Sequence, residues 1–228
     1  MKKYKILYVE DDKDTRQMVK IYLEFHGFHI IEAENGNTAL YLLDTEKIDL
    51  ILLDIVLPDM NGIELLKKWK NSVRIPIVIL SSRNKYQDQV IGYNEGAIDY
   101  IPKPFDLQEL FLRILSKIKY WEKIEGQNER IESITLGNVM LDIKRREVTI
   151  GTKTTSLTLI ESSLLRLLME KKGQIVSYQQ MYEYVNEVFR KEDTHTIQVH
   201  IYTLRHKLGG GFVKNKRGEG YFFEELGA

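Results

Sequence analysis

The sequence predicts an α/β protein in two parts: a doubly wound unit around a five-stranded parallel sheet, then a smaller α+β unit. Three observations carry this. Five short apolar runs alternate with amphipathic stretches up to about residue 121. The runs are rich in Ile, Leu and Val without strict alternation, which suits strands buried on both faces of a parallel sheet. From about residue 134 the pattern changes to short strands, three amphipathic helices and a glycine-bounded hairpin.

The elements follow in order. The first strand is KILYV at 5–9, closed by the acidic EDD. A helix over 14–26 follows, with Met18, Ile21, Tyr22 and Phe25 on one face at helical spacing. Strands at 28–33, 49–55, 75–81 and 97–101 each precede a helix, at 38–43, 63–70, 86–95 and 107–121. Gly27, Gly36, Gly62, Gly92 and Gly96 mark turns or helix ends. Such alternation implies a doubly wound sheet. In the second half, 134–150 reads as short strands joined by turns, and helices follow near 158–171, 178–186 and 195–208. GGGFVKNKRGEGYFF at 209–223 closes the pattern as a hairpin. The expected domains are 1–121 and 134–228, joined by a polar, acidic linker at 122–133.

Composition sets the outer bounds. The chain has 228 residues, enough for one large or two small domains. Basic and acidic residues number 33 each and 43% of residues are apolar, a balance that disfavours disorder. No apolar run approaches the ~20 residues needed to cross a bilayer. The N-terminal apolar run meets Glu10 too early for a signal peptide. A cytoplasmic protein without a membrane partner is expected. The absence of cysteine excludes disulfide scaffolds, thiol nucleophiles and thiolate zinc sites.

The strand ends carry the chemistry. In a doubly wound sheet, ligands bind beyond the carboxyl ends of the strands. Glu10, Asp11 and Asp12 close the first strand, Asp54 the third, Ser81 the fourth and Lys103 the fifth. Two carboxylates ~4 Å apart repel by about 4 kcal/mol at an effective dielectric of 20. A hard divalent cation offsets that, and Mg²⁺ takes oxygen ligands. Carboxylates, a hydroxyl and an ammonium around Mg²⁺ are what phosphoryl transfer needs. A carboxylate can itself accept the phosphoryl group. Taken singly, each residue has an ordinary reading: a helix cap, a turn, a solvated lysine. Their convergence at adjacent strand ends is what argues for a site.

YVEDD, LLDIVLPDMNG, VILSS and DYIPKPF resemble the receiver domains of bacterial two-component response regulators, over about residues 3–121. The resemblance implies a flavodoxin-like receiver. It implies that Glu10, Asp11, Asp54 and the backbone carbonyl of Val56 hold Mg²⁺, and that Asp54 takes phosphate from a sensor histidine kinase. Ser81 and Lys103 would contact the phosphoryl oxygens, and Tyr100 would be the switch aromatic, turning inward as Ser81 moves. Asp12 is not expected as a ligand. Receivers of this family pair through salt bridges, a scheme that Glu95, Asp99, Glu109 and Arg113 fit. Gln89, Asn94 and Ile98 stand where charge is usual, so pairing would be weaker, or more apolar through Ile98 and Tyr93.

The second half holds 16 basic and 15 acidic residues, so its net charge points to no partner. Its local charge does: residues 194–218 contain no Asp or Glu. They carry Arg205, Lys207, Lys214, Lys216 and Arg217, with His195, His200 and His206. Gln198, Tyr202, Thr203, Arg205 and His206 would form the outer face of a helix built on Ile197, Ile201, Leu204 and Leu208. A basic helix followed by a basic hairpin suits major-groove entry with phosphate contacts. THTIQVHIYTLRHKLGG followed by VKNKRGEGYFF resembles the winged helix-turn-helix domain of OmpR/PhoB-type regulators, over about residues 134–226. The resemblance implies DNA contacts from His195, Thr196, Thr203 and Arg205, and from Arg217 on the wing. It implies a homodimer on tandem promoter half-sites, with RNA polymerase as a further partner. Tyr202 and Thr203 replace arginines common in the family, so a shallower salt dependence is expected.

The function expected is a phosphorylation-controlled DNA-binding transcriptional regulator, not an enzyme. The alternative is a regulator with the same folds that binds DNA independently of phosphate. A Mg²⁺-dependent phosphohydrolase leaves the basic window without a role. A dinucleotide-binding protein would need a glycine-rich turn where EDDKD stands.

Overall fold

The computed structural model describes residues 3–69, 73–83, 86–128, 132–185, 194–209 and 211–225. They fall into two compact units, Met1–Ile118 and Lys119–Ala228.

The first unit alternates strand and helix: β1 (Lys5–Val9), α1 (Lys13–Phe25), β2 (His29–Ala33), α2 (Gly36–Thr45), β3 (Leu50–Asp54), α3 (Gly62–Trp69), β4 (Ile77–Ser81), α4 (Tyr86–Asn94), β5 (Asp99–Pro102) and α5 (Leu107–Asn128). The sheet is parallel, in the order β2-β1-β3-β4-β5. Ile6–Val9, Leu50–Leu53 and Val78–Leu80 are wholly buried, as their unbroken apolar runs require. The order reverses between β1 and β3, so a crevice opens beyond their carboxyl ends.

One face assignment is corrected. In α1 the buried residues are Val19 and Leu23, while Met18, Ile21 and Phe25 are 47%, 66% and 85% exposed. The helix carries two apolar stripes roughly 150° apart around its axis at about 100° per residue, and only one meets the sheet. Periodicity alone does not say which. The expected linker also differs: α5 continues as helix to Asn128.

The second unit opens with β6 (Ser133–Leu136), β7 (Val139–Asp142), β8 (Glu147–Ile150) and β9 (Lys153–Ser156), an antiparallel sheet in that order. β9, with the sequence KTTS, has too little apolar character to announce itself as a strand. Then come α6 (Leu159–Glu170), β10 (Val176–Ser177), α7 (Tyr178–Val185), α8 (Thr194–Leu208), β11 (Val213–Lys216) and β12 (Gly220–Phe223). β11 and β12 form the expected hairpin, and β10 adds to its other edge. Gly220 is required there: its φ is +153°, and a Cβ would sit 2.1 Å from the Val176 carbonyl oxygen. α6 is buried along nearly its whole length, from Leu159 to Met169.

The N-terminus of α6 is a capping box, in which Thr158 and Glu161 satisfy each other's backbone N–H groups. Glu161 is fully buried and also accepts from the Thr203 hydroxyl at 2.8 Å and from Lys207 at 2.6 Å, both on α8. One carboxylate thus caps one helix and ties it to another.

Candidate functional site: an acidic pocket and a basic helix

The pocket is assembled from strand ends. Glu10, one residue beyond β1, donates its backbone N–H to Ala33 at 3.0 Å, which extends the strand pairing to the acidic turn. The Arg16 guanidinium donates to the carbonyls of Glu10 and Asp11 at 2.6 and 3.1 Å, and so fixes that turn. Asp12 caps α1 by accepting from the Thr15 N–H at 2.8 Å, so its carboxylate is occupied as a cap. Asp54 ends β3 and is 4% exposed. Its Oδ1 accepts the Val56 N–H at 2.9 Å, and its Oδ2 accepts from Lys103. The loop after Asp54 is tight: a Cβ on Gly62 would lie 2.5 Å from the Asp54 carbonyl oxygen. Asp59 anchors that loop by accepting the Gly36 and Asn37 N–H groups, each at 2.9 Å. Against the desolvation of its site, those backbone donors hold the Asp59 carboxyl below its usual value.

Lys103 follows β5, donates its backbone N–H to Ser81 at 2.8 Å, and precedes a cis peptide bond to Pro104. Its ammonium bridges Asp54 and Glu10, reaching Glu10 Oε2 at 2.6 Å. The same Oε2 accepts the Tyr8 hydroxyl at 3.0 Å. Burial raises the Glu10 carboxyl above its usual pKa, although Lys103 and Tyr8 oppose the shift. For Lys103, desolvation is outweighed by the bonds to Asp54 and Glu10, so its pKa is raised. Tyr8 is pushed up by burial and by Glu10, and stays a donor.

Carboxylate oxygens of Glu10, Asp11 and Asp54 lie within 4.8 Å of one another. Three carboxylates beside one ammonium leave surplus negative charge in a half-enclosed site. Hard oxygen donors without sulfur or imidazole fit Mg²⁺.

Ser81 is fully buried, and its hydroxyl accepts the Arg83 N–H at 3.1 Å. Tyr100 is 5% exposed: its ring already lies inward, and its hydroxyl donates to the Arg83 carbonyl. The expected dimer contacts divide. Asp99 is buried, 3.3 Å from Arg113 and 3.5 Å from Lys117, so it serves inside the fold and not on a pairing surface. Arg113 also binds Glu109 at 3.0 Å, while Glu95 is half-buried. Ile98 and Tyr93 are buried too, so an apolar pairing surface through them is ruled out. Lys117, whose buried charge completes the Asp99 cluster, gave no signal beyond an ordinary position on a helix.

The basic helix needs a larger correction. Thr203 is 5% exposed and spent on Glu161, so it does not contact DNA. His200 is likewise buried, and Lys207 is paired with Glu161. Ile197, Val199, Ile201, Thr203 and Leu204 are all buried, so the buried arc is wider than the apolar positions alone define. Gln198, Tyr202, Arg205 and His206 form the exposed face. Thr196 is half-buried near the start of α8, and the side chain of His195 lies outside the described residues. Arg217 is exposed at the hairpin turn. Among the described residues neither Arg205 nor Arg217 forms an ion pair, whereas Lys214 meets Glu224 and Lys216 meets Glu219.

Comparison with known proteins agrees with both halves. Residues 6–115 match the response regulator receiver domain, and residues 152–223 match the C-terminal domain of transcriptional regulatory proteins. The transcriptional regulatory protein CpxR of Escherichia coli is 36% identical over 228 residues, covering 95% of this chain and 97% of its own. The regulatory protein VanR of Enterococcus faecium is 31% identical, covering 97% of this chain and 99% of its own. Two solved RitR mutants superpose with TM-scores of 0.76 and 0.78 at 26% and 25% identity, over 98% of this chain and 100% of theirs. A CheY-like receiver domain protein from Methanospirillum hungatei aligns at a TM-score of 0.52 and 32% identity, over 54% of this chain and 98% of its own. With an acidic crevice at the sheet's switch point, a basic helix and hairpin later in the chain and relatives that match over nearly its whole length, this chain belongs to the OmpR/PhoB-type response regulators of two-component systems.

Proposed function

We propose that Asp54 is the phospho-accepting residue of a cytoplasmic regulator, and that its phosphorylation controls promoter binding. A sensor histidine kinase donates the group. An Asp54 oxygen attacks phosphorus, the P–O bond forms as the P–N bond to the kinase histidine breaks, and the imidazole nitrogen leaves with the electron pair. Glu10, Asp11, Asp54 and the Val56 carbonyl hold Mg²⁺, which neutralises phosphoryl charge when bound. Lys103 moves from its bridge onto a phosphoryl oxygen, and the Ser81 hydroxyl donates to another. Those charge-assisted bonds are the stronger class of hydrogen bond and supply the differential energy a switch needs. Receivers then pair with Glu95, Glu109 and Arg113 at the contact. Arg205 on α8 and Arg217 on the hairpin approach DNA, with Thr196 and His195 near the helix start, on tandem half-sites. RNA polymerase is a further partner.

The observation that supports this most is the Lys103 ammonium bridging Glu10 and Asp54 across the crevice. Intact mass before and after acetyl phosphate with Mg²⁺ is the test. A gain of one phosphate in wild type and none in Asp54→Ala is expected; a gain that persists in Asp54→Ala contradicts the acceptor assignment.

A second reading, DNA binding independent of phosphate, is favoured by one observation: Tyr100 already lies inward, with its hydroxyl on the Arg83 carbonyl. It predicts promoter affinity unchanged by a phosphodonor.

A further inference from the structure

We propose that Tyr8 is a positioning residue for the acidic pocket: its hydroxyl orients the Glu10 carboxylate so that one oxygen is held by protein donors and the other faces a divalent cation. The inference rests on the reading that this pocket holds Mg²⁺, and it adds a residue to that site.

Tyr8 sits on β1 two positions before Glu10, so the extended chain sends both side chains to the same side. Tyr8 is fully buried on β1, where its register partners are Glu32 on β2 and Leu52 on β3. The hydroxyl therefore has little freedom, and it donates to Glu10 Oε2 at 3.0 Å. Lys103 donates to that same Oε2 at 2.6 Å. Neither bond falls on Oε1. A carboxylate pinned by two donors on one oxygen has the direction of its other oxygen fixed as well, in a pocket where carboxylate oxygens of Glu10, Asp11 and Asp54 lie within 4.8 Å of one another.

The two donors are not equivalent. Lys103 is shared with Asp54, and in the phosphorylated state it turns to the phosphoryl group. Tyr8 has no second acceptor among the hydrogen bonds of the described residues. It keeps Glu10 in place when Lys103 leaves. A phenylalanine would fill the same space and remove only this bond.

The test is Tyr8→Phe in the full-length, unphosphorylated protein, titrated with MgCl₂ by calorimetry, with melting temperature measured with and without Mg²⁺. Affinity weaker by roughly threefold to tenfold is expected, the size of a typical net hydrogen-bond contribution. The Mg²⁺-induced rise in melting temperature should shrink with it. Unchanged Mg²⁺ affinity overturns the proposal, as does a melting temperature lowered equally with and without Mg²⁺ at equal affinity. Wild type that takes up no Mg²⁺ overturns the parent reading instead, which keeps the two failures distinct.

Discussion

Asp99 and Lys117 make the residue-scale case that a charge in this protein is defined by its neighbours. Asp99 lies at the start of β5 and is buried with Arg113 and Lys117. Desolvation opposes its ionisation, yet the two cations and the Tyr100 N–H hold its carboxyl below the usual value. A carboxyl with a depressed folded pKa binds fewer protons folded than unfolded near its unfolded pKa. Its contribution is therefore complete above about pH 4 and lost as pH falls further. Acid unfolding followed by circular dichroism should show this: Asp99→Asn lowers stability at neutral pH and flattens the decline below about pH 4. An unaltered acid limb would contradict the assignment. The sequence shows Asp99 and Arg113 clearly, but not that they meet inside one chain, because burial depends on the α5–β5 packing. The pocket residues were more legible. Glu10, Asp54, Ser81 and Lys103 each sit at or just past the carboxyl end of a strand, and parallel strands bring such ends together.

Helices α1 and α8 show what was hidden at the scale of the element. Both carry polar and apolar residues on more than one face, and side-chain type alone chose the wrong arc in α1 and too narrow a buried arc in α8. In α8 a threonine lies inward because a buried glutamate on α6 offers it an acceptor, a pairing across 42 positions that local periodicity does not contain. In α1 the outward stripe of Met18, Ile21 and Phe25 is unusual for solvent-facing residues, and the helix begins two residues after Asp11. The proposed phosphotransfer to Asp54 predicts a kinase docked near this crevice, with the stripe as its apolar footing. Ile21→Ser with Phe25→Ser should slow transfer from the phosphorylated kinase at least tenfold while leaving labelling by acetyl phosphate unchanged. An equal loss in both assays would assign the stripe to folding. At the DNA end, Arg205→Ala and Arg217→Ala should each weaken binding and reduce the salt slope by about 0.9, since each phosphate contact contributes that much. Lys207→Ala should leave the slope unchanged, because its ammonium is already spent on Glu161. Filter binding from 50 to 200 mM salt would read all three.

The whole molecule joins two units with different grammars, and the order of elements in each was readable because apolar runs and glycines punctuate them. The pieces that escaped were small or polar: β9, which is KTTS, and the two-residue β10, which exists only as a partner of β12. The helical continuation of α5 to Asn128 also escaped, since a polar, acidic stretch reads equally as a solvated helix or as a linker. In the whole chain, the proposed phosphorylation of Asp54 is expected to govern DNA affinity. Promoter affinity of the intact protein, measured with and without acetyl phosphate and Mg²⁺ for wild type and Asp54→Ala, tests it most directly. Tighter binding by wild type alone, only when phosphodonor and Mg²⁺ are both present, is the predicted result; equal affinities for both proteins under every condition would contradict it.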